Sequence, residues 1–150
     1  MSNRVLVIAE AGVNHNGSLE TAEELVHAAK KFGADLIKFQ SFKTELGITQ
    51  SSPSPDYQIK KSSNNRSQYE LLKTLELSDS DHCFLQGLCS ERGIGFFSTG
   101  FDHPSLDYLM EIGLECFKVP SGEITNLPYL RHVGSCGKSV LLSTGMANLG

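Results

Sequence analysis

The chain has 150 residues, 39% of them hydrophobic, and a formal net charge of −4, which is the size of one ordinary domain with enough apolar material for a sizeable core. That charge offers no basic stripe to a phosphate backbone, excluding a nucleic-acid partner, and no stretch approaches the roughly 20 apolar residues of a membrane span. The opening MSNRVLVIAEAGVNHNG does not read as an export signal, and Cys83, Cys89, Cys116 and Cys136 show no C-x-x-C spacing, so a soluble protein of a reducing cytoplasm with its cysteines buried as small hydrophobes is expected.

In chain order, VLVIAEA at 5–11 is a short apolar run closed by a Gly/Asn cluster, predicting a strand buried on both faces. Ser18 can cap a helix over LETAEELVHAAKKF, where Leu19, Ala22, Leu25, Val26, Ala29 and Phe32 recur at helical spacing and Gly33 supplies the stop. ADLIKFQSF at 34–42 is strand-like again. From Lys43 to about Ser67 the composition turns to Ser, Asn, Pro, Gln and Lys without apolar periodicity, predicting a long polar excursion. QYELLKTLEL and DSDHCFLQGLCSERG restore the helical period, with Ser78 or Ser80 as cap and Gly93 as stop. GIGFFSTG at 93–100 reads as the third strand, and HPSLDYLMEIG as a short helix opened by Pro104 and closed by Gly113. LECFKVPSG at 114–122 is the fourth strand, NLPYLRHVGSCG at 126–137 a helix, and SVLLSTGM at 139–146 the fifth strand. Alternating strands and helices predict an α/β fold with a parallel sheet. Two architectures fit: an open doubly wound sheet, or a (β/α)8 barrel, which needs about 250 residues and would be unfinished here.

Every predicted strand ends in polar residues: Glu10 with Asn14-His15-Asn16-Gly17, Lys38 with Gln40, Ser98-Thr99-Gly100, Lys118 with Ser121-Gly122-Glu123, and Ser143-Thr144-Gly145. In parallel sheets these ends carry the site, so the groups converge on one face. A lysine inside LIKFQ or CFKVP is costly in an apolar core unless an anion meets it, and two of them suggest a phosphate plus a carboxylate. The hydroxyl–Gly pairs fit the same anion, since Gly admits backbone N–H groups and Ser or Thr donates to phosphate oxygens. Plainer readings stand beside these. A single Ser-Gly step fits a turn, a single strand lysine can reach to the surface, Glu10 can charge the start of the first helix, and His15 can serve a loop hydrogen bond. His27, His82, His103 and His132 receive no catalytic role.

IAEAGVNHNGS, GADLIKFQSFKTE, SQYELLKTLELS, GIGFFSTGFD, FKVPSGEITNLPYL and GKSVLLSTGMA, in this order, resemble the N-acetylneuraminate (sialic acid) synthase family over essentially the whole chain. The resemblance implies a (β/α)8 barrel of which residues 1–150 are the amino-terminal part, the remaining strands and an antifreeze-like domain lying beyond. It implies condensation of phosphoenolpyruvate with N-acetylmannosamine or a related amino-sugar aldehyde by a dimeric enzyme. It assigns Lys38, Thr99, Lys118, Ser121 and Ser143 to phosphoenolpyruvate and Glu10, Gln40 and Glu123 to the sugar, with Glu10, Glu123 and Lys118 as catalytic groups. A divalent metal, Mn2+ or Mg2+, is implied, with ligands expected past Gly150 and none in this chain. Gly100 stands where many relatives have Pro, a change expected to act on loop stiffness. Asn64 and Asn65 are further candidates for sugar contacts. Two other readings remain: a pseudaminic or legionaminic acid synthase, and a non-catalytic anion-binding fragment.

Overall fold

The computed structural model describes residues 4–50, 52, 67–145, 147 and 148; Asn64 and Asn65 lie outside them. Strands and helices alternate along these residues. The first half contains β1 (Ile8–Gly12), α1 (Leu19–Lys31), β2 (Leu36–Ser41), α2 (Thr44–Gly47), α3 (Gln68–Lys73) and α4 (Asp79–Arg92). The second contains β3 (Gly95–Gly100), α5 (His103–Glu111), β4 (Cys116–Val119), a 3-10 turn at Ser121–Glu123, α6 (Leu127–Ser135) and β5 (Ser139–Leu142). All pairings are parallel, in a ladder of order β1-β2-β3 and a second of β4-β5, and β4 lies beside β3.

The register sorts the side chains. Glu10 lies opposite Lys38, and Gln40 opposite Thr99. Because a strand alternates faces with period two, Glu10, Lys38, Gln40 and Thr99 share one face while Ile37, Phe39, Ser41 and Ser98 take the other. The second face is covered by α1 and α4, whose Ala22, Val26, Leu85 and Cys89 pack with Ile37 and Phe39. Leu106 and Leu109 of α5, with Tyr129 and Val133 of α6, cover Phe117 and Val119 of β4 in the same way. Helices therefore hold one side of the strands and leave the charged side for chemistry.

Local signals set the helix ends. Ser18 Oγ accepts the Thr21 amide at 3.2 Å. At α4, Ser78 Oγ accepts the Asp81 amide at 3.1 Å while Asp81 returns the bond to the Ser78 amide at 2.8 Å, and Gly93 closes the helix at φ +65°, satisfying donors and acceptors at both ends. Gly17, at φ +79°, lets the β1–α1 loop pass α3, since a Cβ there would stand 2.0 Å from the Thr74 carbonyl oxygen.

Several expectations are corrected. The strand expected at 5–11 begins only at Ile8, and Val5, Leu6 and Val7 are 79%, 61% and 51% exposed. The Val7 carbonyl accepts the Asp35 and Leu36 amides and the Val7 amide donates to Asp35 Oδ2 at 2.8 Å, so the chain runs beside the start of β2 without entering the ladder before Ile8. The polar excursion after Lys43 contains the single helical turn α2, whose Thr44 amide is accepted by Glu76. The helix expected over QYELLKTLEL stops at Lys73, where the Thr74 hydroxyl donates to the Leu71 carbonyl at 2.7 Å and competes with helical pairing. Among the cysteines only Cys89 is buried, its thiol pushed up to about 11 by burial; Cys83 is exposed on α4. No helix among the described residues is long and apolar enough to cross a membrane.

Candidate active site at the strand ends

Lys38 sits in the middle of β2, 5% exposed, with its ammonium 2.8 Å from Glu10 Oε1 and donating to Thr99 Oγ1 at 3.2 Å. Adjacent parallel strands supply all three side chains, so the cluster follows from register. Burial pushes the Lys38 pKa below the usual lysine value; the hydrogen bond and charge of Glu10 oppose this, and the nearby Lys118 ammonium adds to it. The strand-lysine alternative of reaching to the surface does not hold for Lys38. Nor does Glu10 serve the start of α1: it pairs with Lys38.

β1 bulges between Glu10 and Gly12. At Gly12, φ +53°, a Cβ would stand 3.2 Å from Glu10 Oε1 and 3.5 Å from Gln40 Nε2. A glycine here admits the carboxylate and the amide side by side. The two remaining hydroxyl–glycine loops also adjoin. The Ser143 amide donates to the Val119 carbonyl at 3.0 Å, carrying the end of β5 along β4, and a Cβ on Gly145 would lie 3.6 Å from Ser121 Oγ.

Glu123 stands apart from the lysine cluster. It lies on the 3-10 turn after β4 and accepts the Asn126 side-chain amide at 2.6 Å. Its link to the rest is a cavity of about 290 Å³ that it lines together with Gln40, Phe42 and Phe101. The structure thus joins Glu10, Lys38 and Thr99 directly. It sets the Gln40 amide and the Glu10 carboxylate side by side at Gly12 and Ser121 beside the Ser143–Gly145 loop, and places Gln40 and Glu123 on one cavity. Lys118 touches the cluster only as a minor charge effect on Lys38.

Sequence reasoning missed what supports these groups from behind. His82 of α4 is buried; its Nδ1 donates to the Ser78 carbonyl at 3.0 Å, which leaves Nε2 to accept from Ser41 Oγ at 2.9 Å. Ser98 Oγ lies 2.8 Å from the same Ser41 oxygen. Ser41 and Ser98 neighbour Gln40 and Thr99 in sequence, so this buried chain ties together the two strand ends that present the site. Burial holds the His82 pKa below the ordinary histidine value, against the raising effects of the Ser78 and Gln40 carbonyls. A helix period marks His82 as facing the sheet, but nothing in the sequence matches it to Ser41. His15 is also fully buried, with Nδ1 accepting the Gly17 amide at 3.0 Å, the loop role read for it. At Gly100 a Cβ would meet Leu106 atoms at 3.0–3.2 Å, a packing reason for glycine at this position.

Among the described residues no group of three or more His, Cys, Asp or Glu is arranged to hold a metal ion. These residues do not form a metal cage by themselves.

The sequence model described as NeuB family matches residues 25–150. The chain belongs to the NeuB family. It is 50% identical over 143 residues to the N,N'-diacetyllegionaminic acid synthase of Legionella pneumophila subsp. pneumophila, covering 95% of this chain and 40% of that protein. It is 48% identical to the Campylobacter jejuni enzyme of the same name, over 98% of this chain and 44% of that protein. An N-acetylneuraminic acid (sialic acid) synthetase from Leptospira borgpetersenii serovar Hardjo-bovis, solved in complex with citrate, superposes with a TM-score of 0.83 at 33% identity, covering 98% of this chain and 47% of its own. The chain spans about two fifths of the length of the curated relatives it matches. Its strands and helices are units of a (β/α)8 barrel. In such barrels the carboxyl ends of the strands carry the chemistry; in this NeuB chain the Glu10–Lys38–Thr99 cluster lies on the side of the strands that the helices do not cover.

Proposed function

We propose that this NeuB-family chain is the amino-terminal part of the barrel of a nonulosonic acid synthase, joining phosphoenolpyruvate to an open-chain amino-sugar aldehyde and releasing phosphate. The observation that carries the reading is the buried Lys38 ammonium, held between Glu10 and Thr99 on the face of the strands that the helices leave uncovered. A buried ammonium is costly unless anionic or hydrogen-bonding partners meet it, and a bound anion would add to the partners Glu10 and Thr99 supply. Phosphoenolpyruvate supplies a carboxylate and a phosphate, and Thr99, Ser121 and Ser143 add hydroxyl donors.

In the proposed reaction C3 of phosphoenolpyruvate attacks the aldehyde carbon, forming the C–C bond, and the carbonyl oxygen takes a proton. Water then adds to the cation at C2 and loses a proton, and the C2–O bond breaks to release phosphate and leave a ketone. Lys38 and Lys118 stabilise the anionic charge throughout, Gln40 and Glu10 orient the sugar, and Glu123 orients or deprotonates the water. The divalent ion, Mn2+ or Mg2+, enters the proposal only as a group held by residues outside those described, and the homodimer and a cytoplasmic location stand as parts of the same proposal.

Three sugars are in contention. The relatives at 50% and 48% identity are named for N,N'-diacetyllegionaminic acid, which favours the legionaminic acid precursor over N-acetylmannosamine and over the pseudaminic acid precursor. The test is phosphate release by the natural full-length protein given phosphoenolpyruvate and each aldehyde in turn. Release that needs both substrates, with Glu123→Gln slower by tenfold or more, is expected. Full turnover by Glu123→Gln removes Glu123 from the chemistry, and phosphoenolpyruvate binding without turnover on any aldehyde favours a non-catalytic anion-binding protein.

A further inference from the structure

The helix-covered face of the strands changes character at the level of the site. Along β2 this face carries Ile37, Phe39 and then Ser41, and along β3 it carries Phe96 and then Ser98. The apolar layer under α1 and α4 thus gives way to two hydroxyls, one next in sequence to Gln40 and the other to Thr99. Ser41, Ser98 and His82 are all buried, and a hydroxyl removed from water is costly unless a partner meets it. Apolar side chains of similar size would fill this layer without that cost.

Every proton in the chain of bonds has a direction. The Ser78 carbonyl can only accept, so His82 Nδ1 carries the hydrogen and Nε2 is left as an acceptor. Ser41 has one hydroxyl proton and gives it to Nε2 at 2.9 Å, so Ser98 donates to Ser41 Oγ at 2.8 Å. The bonds therefore run from β3 to β2 to α4 and end on Ser78, the residue that also caps α4. The rings of Phe96 and Tyr108 stand edge to face with the imidazole, centroids 6.3 and 6.2 Å away, and hold its plane. A buried polar chain satisfied in this way admits one arrangement of the elements it joins.

On the open face the same two strand ends present groups proposed for different substrates: Thr99, bonded to Lys38, for phosphoenolpyruvate, and Gln40 for the sugar. Gln40 and Thr99 are register partners, so the spacing of the strands behind them governs the spacing of the two reacting molecules. We infer that His82, acting through Ser41 and Ser98, is a positioning residue that sets this spacing. The inference rests on the proposed condensation and deepens it, since His82 touches neither substrate. A bond between two bound carbons requires them to be held about 3–3.5 Å apart, and a misplacement of about 1 Å can cost about 100-fold in rate. Breaking the chain therefore slows the joining of bound substrates more than it weakens the binding of either.

The experiment uses the natural full-length protein, phosphoenolpyruvate and the aldehyde turned over fastest. Ser41→Ala removes the middle of the chain with almost no change in bulk, and His82→Leu removes its anchor. Each is expected to lower kcat by about 10- to 100-fold, while the calorimetric Kd for phosphoenolpyruvate stays near the parent value. His82→Gln, which keeps a donor and an acceptor on one side chain, should recover most of kcat. Leu85→Ala, on the same helix but outside the chain, is the control: it lowers the unfolding midpoint and leaves the kcat of the folded protein unchanged. Parent-like kcat in folded Ser41→Ala and His82→Leu overturns the inference and leaves the condensation intact. So does a loss of phosphoenolpyruvate affinity as large as the loss in kcat, or a His82→Gln no faster than His82→Leu. A parent protein that releases no phosphate with any aldehyde overturns both.

Discussion

Lys38→Met separates what this lysine does for a ligand from what it does to the fold. Lys38 is 5% exposed, and burial is the largest influence lowering its pKa. A lysine whose folded pKa is below its unfolded one subtracts stability at all pH values under the folded pKa. That penalty is relieved only as pH rises between the folded value and the unfolded value near 10.4. Methionine fills a similar volume without charge, and the Glu10 side chain, 54% exposed, returns to water instead of being stranded. Folding stability at pH 7 is therefore expected to hold or rise by up to about 1 kcal/mol. Phosphoenolpyruvate binding loses a hydrogen bond to a charged group, about 1.5–3 kcal/mol, or about 10- to 150-fold in Kd. Urea unfolding and titration calorimetry on the natural full-length protein read the two quantities separately. A variant destabilised by about 2 kcal/mol or more that binds phosphoenolpyruvate as before refutes the reasoning: the lysine would then be a structural pair and nothing else.

Burial holds both His82 and His15 below the ordinary histidine value. The unfolded chain takes up protons near pH 6.5 and the folded one resists, so stability should decline as pH falls below about 6.5, by up to about 1.4 kcal/mol per unit per histidine. Urea midpoints at pH 7.5 and 5.5 measure this, with His82→Gln showing a smaller drop; equal midpoints in the parent protein contradict it. Gly17→Ala should lose about 2 kcal/mol or more, because its Cβ would press on the Thr74 backbone at a positive φ; a wild-type denaturation midpoint would show that the loop can move aside. Leu85, fully buried between α4 and the sheet, should cost about 2–5 kcal/mol as Leu85→Ala, measured by the same unfolding, and a loss below about 1 kcal/mol would mean the helix re-packs.

The element order was legible because punctuation and periodicity agreed. Ser18, Ser78 and Gly93 mark helix ends that the backbone also shows, and the alternation of short apolar runs with helical ones specifies parallel pairing. The gathering of Glu10, Lys38, Gln40 and Thr99 on one face was legible in the same way, since they sit at corresponding distances along their strands and register alone brings them together. Other features depended on what the chain meets in space. Val5 to Val7 have strand composition, but composition does not say where the ladder with β2 begins, which is at Ile8. The bond from His82 to Ser41 joins residues 41 positions apart, and no local pattern encodes that contact. Cys83 belongs to an apolar helical run yet lies outside the face turned to the sheet, where only the helix's rotation decides burial.

A crystal structure of the natural full-length protein with phosphoenolpyruvate bound tests the central claim most directly. The account predicts one molecule with the Nζ atoms of Lys38 and Lys118 both about 3 Å from its carboxylate or phosphate oxygens, and the Thr99, Ser121 and Ser143 hydroxyls turned toward it. A saturated complex with the ligand elsewhere, or with Lys118 on the opposite side of the strands from Lys38, contradicts it.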